Sequence, residues 1–178
     1  LSGFIKEKFN RKFIVFDRDN TINIDTGYIS YPERTVLCKN FIENIDLIKQ
    51  SNRALLIVSN QGGIALGKFN SEQNIKFYRE VKQQLADYGL FILEYLFCPH
   101  HPSVYECNCR KPSPRMLLEW KINSILDWES AVVIGDSDLD QKLSKNINAD
   151  FVRVTVGQSY RQNLMDTLND SKQDSIKD

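Results

Sequence analysis

The chain has 178 residues, and its 23 Lys plus Arg against 23 Asp plus Glu give a formal net charge of zero. That length fits one domain with a core of its own and no need of disulfide staples, and 42% hydrophobic with 26% charged residues is the composition of a soluble globular protein. Balanced charge without a local basic run argues against a nucleic-acid partner. No apolar stretch is long enough to span a bilayer, and the opening LSGFIKEKFNRKF lacks the apolar block of a signal peptide, so the expectation is a cytoplasmic protein that stays off membranes.

Short apolar runs rich in β-branched and aromatic residues occupy 12–16, 53–58, 92–97, 131–134 and 150–156. They are continuous rather than alternating, as strands covered on both faces are. Helical patterns lie between them. Residues 40–49 place Phe41, Ile45 and Ile48 at helical spacing, 71–88 open on Ser71 as a candidate cap and close before Gly89, and 114–126 and 138–147 complete the set. Strand and helix alternate, which predicts an α/β three-layer sandwich with a parallel, Rossmann-like sheet in a single domain. Its core spans about 12–157, and 158–178 read as a polar tail with a short helix at 162–168 before a frayed end.

Polar residues follow the strands where an open parallel sheet binds its ligands. Asp17 and Asp19 come after the first, Ser59 and Asn60 after the second, Asp136 and Asp138 after a later one, and Arg110-Lys111 precede a helix. Crowded carboxylates without a cation would hold their protons. A hard divalent cation with oxygen ligands, Mg²⁺ first among them, resolves this, and a hydroxyl, an amide and two cations alongside make a cradle for a phosphoryl group. Asp138 alone reads as a turn or helix cap. A second cluster holds three of the four cysteines, Cys98, Cys107 and Cys109, with both histidines, His100 and His101, inside twelve residues. Three thiols and one imidazole make up a closed tetrahedral zinc site, with a labile disulfide or reduced thiols as the alternatives. Cys38 reads as an ordinary half-buried thiol.

Four motifs in order resemble the haloacid dehalogenase superfamily of phosphatases: Asp17-Arg-Asp19-Asn-Thr21, Ser59 at the end of a buried strand, Lys111, and Gly135-Asp136-Ser-Asp-Leu-Asp140. DRDNTIN (17–23), DTGYI (25–29), SNQGGIALGKF (59–69), CPHHP (98–102) and CNCRKPSP (107–114) are similar to the branch that holds heptose 1,7-bisphosphate and histidinol-phosphate phosphatases. The span between Gly27 and Asn60 is too short for a large cap, so the resemblance is to the capless members.

The resemblance implies Asp17 as nucleophile and Asp19 as general acid and base with a raised pKa. It implies Mg²⁺ held by the Asp17 carboxylate, the Asp19 backbone carbonyl and Asp136. Ser59 and Lys111 would hold phosphoryl oxygens, and Asn60 and Arg110 would contact the substrate phosphate. It also implies structural zinc on Cys98, His100, Cys107 and Cys109, a small phosphorylated metabolite as partner, and a monomer. The substrate it favours is the heptose bisphosphate on the way to surface polysaccharide, with histidinol phosphate as the alternative and an inactive phosphate-binding module as the reading of another class. Asn20 stands where Gly is usual, and Leu66, Arg115 and Ser137 stand where the heptose branch commonly has Arg, Gly and Lys.

Overall fold

The computed structural model describes residues 12–28, 35–121 and 127–173. Five parallel strands, β1 (Phe13–Phe16), β2 (Ala54–Asn60), β3 (Ile92–Cys98), β4 (Val132–Gly135) and β5 (Asp150–Arg153), form one sheet in the order β3-β2-β1-β4-β5. Successive side chains point to opposite faces of a strand, and the core divides accordingly. Ile14 and Phe16 of β1 face one apolar layer, which contains Phe41, Ile48, Val81 and Leu164, while Phe13 and Val15 face the other, which contains Leu117 and Leu143. The first layer is covered by α1 (Lys39–Ile42), α2 (Ile45–Gln50), α3 (Ser71–Asp87) and α6 (Arg161–Gln173), and the second by α4 (Arg115–Lys121) and α5 (Asp138–Asn146). The expected three-layer architecture is thus present. Between β1 and β2 the described residues include no inserted domain, only α1 and α2 and the turns around them.

Local departures from the sequence reading have identifiable causes. The single helix expected at 40–49 is two helices broken at Asn44. Its side-chain amide donates to the Asn40 carbonyl at 2.7 Å, taking the acceptor its own backbone N–H would use in an α-helix, and that N–H turns to Phe41 instead. The cap of α3 is Asn70 rather than Ser71: its side chain accepts from the Gln73 N–H while the Gln73 side chain accepts from the Asn70 N–H. β2 runs on through Ser59 and Asn60, which are strand residues at its carboxyl end rather than a turn after it. The region expected as a polar tail is part of the core as far as α6, where Tyr160, Leu164 and Leu168 are buried. The frayed end expected beyond it, and residues 122–126 of the third predicted helix, fall mostly or wholly outside the described residues. Cys38 is fully buried, not half-buried. No helix among the described residues is long and apolar enough to cross a membrane.

Asn40 ties α1 to the loop after β5, its amide donating to the Thr155 and Gln158 carbonyls at 3.1 Å each. Asn40→Ala should lower stability by about 1–2 kcal/mol in urea unfolding, and an unchanged midpoint would show that this tie contributes nothing.

Candidate active site

Strand order places β1 between β2 and β4, so the connections leave β1 in opposite directions and open a crevice at its carboxyl end. Asp17 stands there, its backbone N–H bonded to the Ile134 carbonyl of β4 at 2.9 Å. Lys111 reaches in from the loop after β3. Its ammonium is buried and donates to Asp17 Oδ1 at 2.5 Å, Asp140 Oδ1 at 2.7 Å and the Val58 carbonyl at 2.9 Å. Burial alone would favour the neutral amine, but the two carboxylates outweigh it and hold the Lys111 pKa above its usual value. One cation facing two carboxylates leaves an excess of negative charge. Burial first, then the repulsion from Asp140 and Asp19, push Asp17 up to about 7 against the pull of Lys111.

Asp140 is the residue that sequence reasoning quoted within a motif but left without a role. It is buried, and its Oδ2 accepts from the Ser137 N–H at 3.1 Å and the Ser137 hydroxyl at 2.5 Å. It therefore caps α5 in a reciprocal box with Ser137 while aiming Lys111 at Asp17. A Cβ on residue 135 would lie 2.5 Å from Asp140, so Gly135 is what lets Asp140 approach. Ser137, a departure from the branch pattern, is thus the helix cap. Asp138 is the first residue of α5, not its cap, and pairs at the surface with Arg153 at 2.6 Å. Asp17, Asp136 and Asp140 bring carboxylate oxygens within 4.8 Å of one another. Asp140 already spends both oxygens on Lys111 and Ser137, so the free oxygens belong to Asp17 and Asp136. Burial, followed by Asp140, raises the Asp136 pKa, and this anionic pair fits a hard divalent cation.

Asp19 does not have the environment expected of it. Both of its oxygens are gripped by Arg18, Nε to Oδ1 at 3.0 Å and Nη2 to Oδ2 at 2.9 Å. Asn23 adds a bond to Oδ1 at 3.1 Å and Gln61 one to Oδ2 at 2.8 Å. Burial pushes the Asp19 pKa up, but the Arg18 charge and these hydrogen bonds outweigh it, and the net direction is down, not up. Arg18 is itself 2% exposed. Its remaining nitrogen donates to Asn74 Oδ1 and the Tyr95 hydroxyl, and its guanidinium lies 4.6 Å from the Phe77 ring centroid. Only such full pairing keeps an arginine in a core.

Asn60 uses its amide on the Lys111 backbone, Oδ1 accepting from the N–H at 2.9 Å and Nδ2 donating to the carbonyl at 3.2 Å. It thereby fixes the lysine rather than presenting that amide to a ligand. Asn20 adopts φ +59, a left-handed conformation that Asn tolerates better than most residues, which accounts for a position where Gly is usual. Its Oδ1 accepts from the Asp25 N–H at 3.1 Å. The crevice over Asp17, Ser59 and Asp136 has about 210 Å³. It continues into a hollow of about 320 Å³ walled by Tyr28, Phe69 and His101, with Asp19, Asp25, Asn60 and Arg110 common to both. Of the other departures, Arg115 pairs with Glu119 at the surface at 2.7 Å.

The cysteine cluster closes as expected. Cys98, His100, Cys107 and Cys109 place their ligand atoms within 4.8 Å of one another, with Sγ–Sγ distances of 3.3 and 3.6 Å and His100 Nδ1 at 3.2 Å from Cys109 Sγ and 3.7 Å from Cys98 Sγ. A tetrahedron with 2.3 Å metal–sulfur bonds has edges of about 3.8 Å, whereas a disulfide needs about 2.05 Å; the four residues fit a metal. His101 turns away to Ser103. Arg110 donates to the His100 carbonyl at 3.0 Å, which joins this loop to the crevice.

No protein-family model matches the chain. Among curated proteins it is 37% identical over 142 residues to the D-glycero-beta-D-manno-heptose-1,7-bisphosphate 7-phosphatase of Yersinia pestis, covering 75% of this chain and 76% of the relative. It is 34% identical over 142 residues to the protein of that name from Escherichia coli K12, covering 75% and 74%. Among solved structures, a HAD-like phosphatase from Mesorhizobium loti superposes with a TM-score of 0.80 at 24% identity over 92% of this chain and 88% of that one. The D,D-heptose 1,7-bisphosphate phosphatase of B. bronchiseptica, complexed with magnesium and phosphate, gives 0.74 at 21% identity over 92% and 99%. The solved structures share the HAD-like fold, the curated relatives share the sequence, and the chain belongs to the D-glycero-beta-D-manno-heptose-1,7-bisphosphate 7-phosphatase family of phosphoric monoester hydrolases.

Proposed function

We propose that this chain removes the 7-phosphate of D-glycero-D-manno-heptose 1,7-bisphosphate, with Asp17 as nucleophile. The observation that carries the reading is Asp17 itself, at the switch point of the sheet with one oxygen on Lys111 and its side chain lining the crevice. An Asp17 oxygen attacks phosphorus as the ester P–O bond breaks, and Asp19 delivers a proton to the departing alkoxide. Asp19 then takes a proton from water, whose oxygen attacks the aspartyl-phosphate, releasing inorganic phosphate and restoring the Asp17 carboxylate. The four donors on Asp19 make it an anion in the free chain, and a phosphate dianion arriving beside it favours its protonated form. Lys111 has all three hydrogens engaged, so it serves the transferring group chiefly by its charge. The Asp19 carbonyl would complete the Mg²⁺ site of Asp17 and Asp136, and bound Mg²⁺ supplies charge neutralisation at the phosphoryl oxygens. The hollow beside the crevice suits a small phosphorylated metabolite, with Arg110 at its border for an anionic group. Zinc on Cys98, His100, Cys107 and Cys109 would be structural, since four protein ligands leave no open position.

Asp17→Asn should abolish phosphate release from the heptose bisphosphate while the protein still folds; turnover within tenfold of the parent overturns the nucleophile. Histidinol phosphate is the comparison substrate, and a preference for it would reassign the substrate. An acid whose pKa is raised on folding binds a proton in the native state that the unfolded chain has released. In the metal-free protein Asp17 therefore favours the fold at acid pH, and that contribution is lost as pH rises from about 4 through 7. Mg²⁺ competes for the same oxygens, so its thermal stabilisation should be larger at pH 8 than at pH 5.5, where displacing the proton weakens binding by about thirtyfold; equal shifts at both would exclude Asp17 as a ligand. Metal analysis should find about one zinc per chain, and a zinc-free protein with full stability and activity would count against the cluster.

A further inference from the structure

Gln61 was singled out neither by the motifs nor by the mechanism, yet it lies between two groups that the mechanism uses. It is 5% exposed and follows directly on β2, its backbone N–H bonded to the Cys98 carbonyl at 2.7 Å. Its side-chain nitrogen has two hydrogens and both are engaged, one on Asp19 Oδ2 at 2.8 Å and one on Ser59 Oγ at 2.7 Å. The orientation of this amide is not arbitrary. An ionised carboxylate can only accept, so Gln61 must turn its NH₂ and not its carbonyl toward Asp19. The second hydrogen then falls on the Ser59 oxygen and makes it an acceptor. A hydroxyl that accepts from one side keeps its own proton to donate elsewhere, and Ser59 lines the crevice beside Asp17.

We infer that Gln61 is a positioning residue that sets two catalytic groups with one amide: it points the Ser59 O–H at the phosphoryl group and fixes the Asp19 oxygen that faces the departing alkoxide. This rests on the phosphatase reading above. It explains why an amide is buried beside the cysteine loop where an apolar side chain would pack, since among the described residues Gln61 alone hydrogen-bonds both Asp19 and Ser59.

Two readouts separate this role from simple support of the fold. Inorganic phosphate binding, measured by calorimetry with Mg²⁺ present, reports on the Ser59 donor. The ratio of kcat/KM for the heptose bisphosphate to that for p-nitrophenyl phosphate reports on Asp19, because a primary alkoxide needs protonation to leave and p-nitrophenolate does not. Gln61→Met keeps the length and removes both hydrogens. It should weaken phosphate binding about fivefold to tenfold, and it should cut the bisphosphate reaction about thirtyfold or more but the p-nitrophenyl reaction only about fivefold. Gln61→Glu keeps the shape but offers Ser59 an acceptor in place of a donor, so it should weaken phosphate binding at least as much, and it provides the measurement should Gln61→Met fail to fold. Equal losses on both substrates with unchanged phosphate affinity would overturn the inference and leave Gln61 a structural residue. Asp17→Asn is the control that separates the two levels. If the parent hydrolyses neither substrate above that blank, the phosphatase reading fails, while the phosphate titration still decides whether Gln61 sets Ser59.

Discussion

An ammonium placed where water does not reach must be surrounded by acceptors, and Lys111 has just enough of them: Asp17, Asp140 and the Val58 carbonyl. Each acceptor comes from a different part of the sheet, the end of β1, the helix after β4 and the end of β2, so satisfying one charge fixes three elements relative to one another. Removing the lysine would leave two carboxylates face to face in a poorly solvated place, the situation in which a buried ion pair is costliest to break. The same charge count makes the site receptive. With one cation against Asp17, Asp136 and Asp140, the crevice carries surplus negative charge that a divalent cation and a proton can both relieve.

The second layer of organisation is the grip on Asp19. Arg18 is held by Asn74 of α3 and Tyr95 of β3, so the orientation of a residue on the β1 loop is set by elements on the far side of the sheet edge. Tyr95 accepts from Arg18 and donates its own proton to Asn74 Oδ1 at 3.0 Å, closing a ring of three hydrogen bonds around the guanidinium nitrogen, the phenol and the amide oxygen. Such closed networks specify a single arrangement, because any one member displaced strands the others without water to replace it.

What could be read from the sequence was whatever depends on chain-local placement. Asp17, Ser59 and Asp136 follow from being at strand ends, and Cys98, His100, Cys107 and Cys109 from their crowding within twelve residues. What could not be read is chemistry done at a distance. Arg18 passes for a solvated charge until Asn74 and Tyr95, far along the chain, are seen to enclose it, and Asp140 looks like one more acidic residue in the first turn of a helix until Lys111 arrives from a separate loop. The lowered pKa of Asp19 is hidden for the same reason, since Asn74 and Tyr95 hold the Arg18 charge that does most to outweigh burial, with Asn23 and Gln61 adding hydrogen bonds. The break at Asn44 is a local event of a kind that periodicity cannot register, because apolar spacing is the same whether the side-chain amide or the backbone N–H takes the Asn40 carbonyl.

Gly62 faces the cysteine loop so closely that a single added carbon would stand 3.0 Å from the His101 ring, 3.2 Å from the His100 carbonyl and 3.3 Å from the Arg110 guanidinium. The segment after β2 and the cysteine loop after β3 therefore interlock at Gly62 as one unit. In any attempt to transplant the specificity of a related enzyme onto this scaffold, the two would have to travel together. A donor loop grafted alone would meet a partner shaped for a different neighbour, whereas the paired exchange leaves Asp17 and Asp140 untouched beneath it.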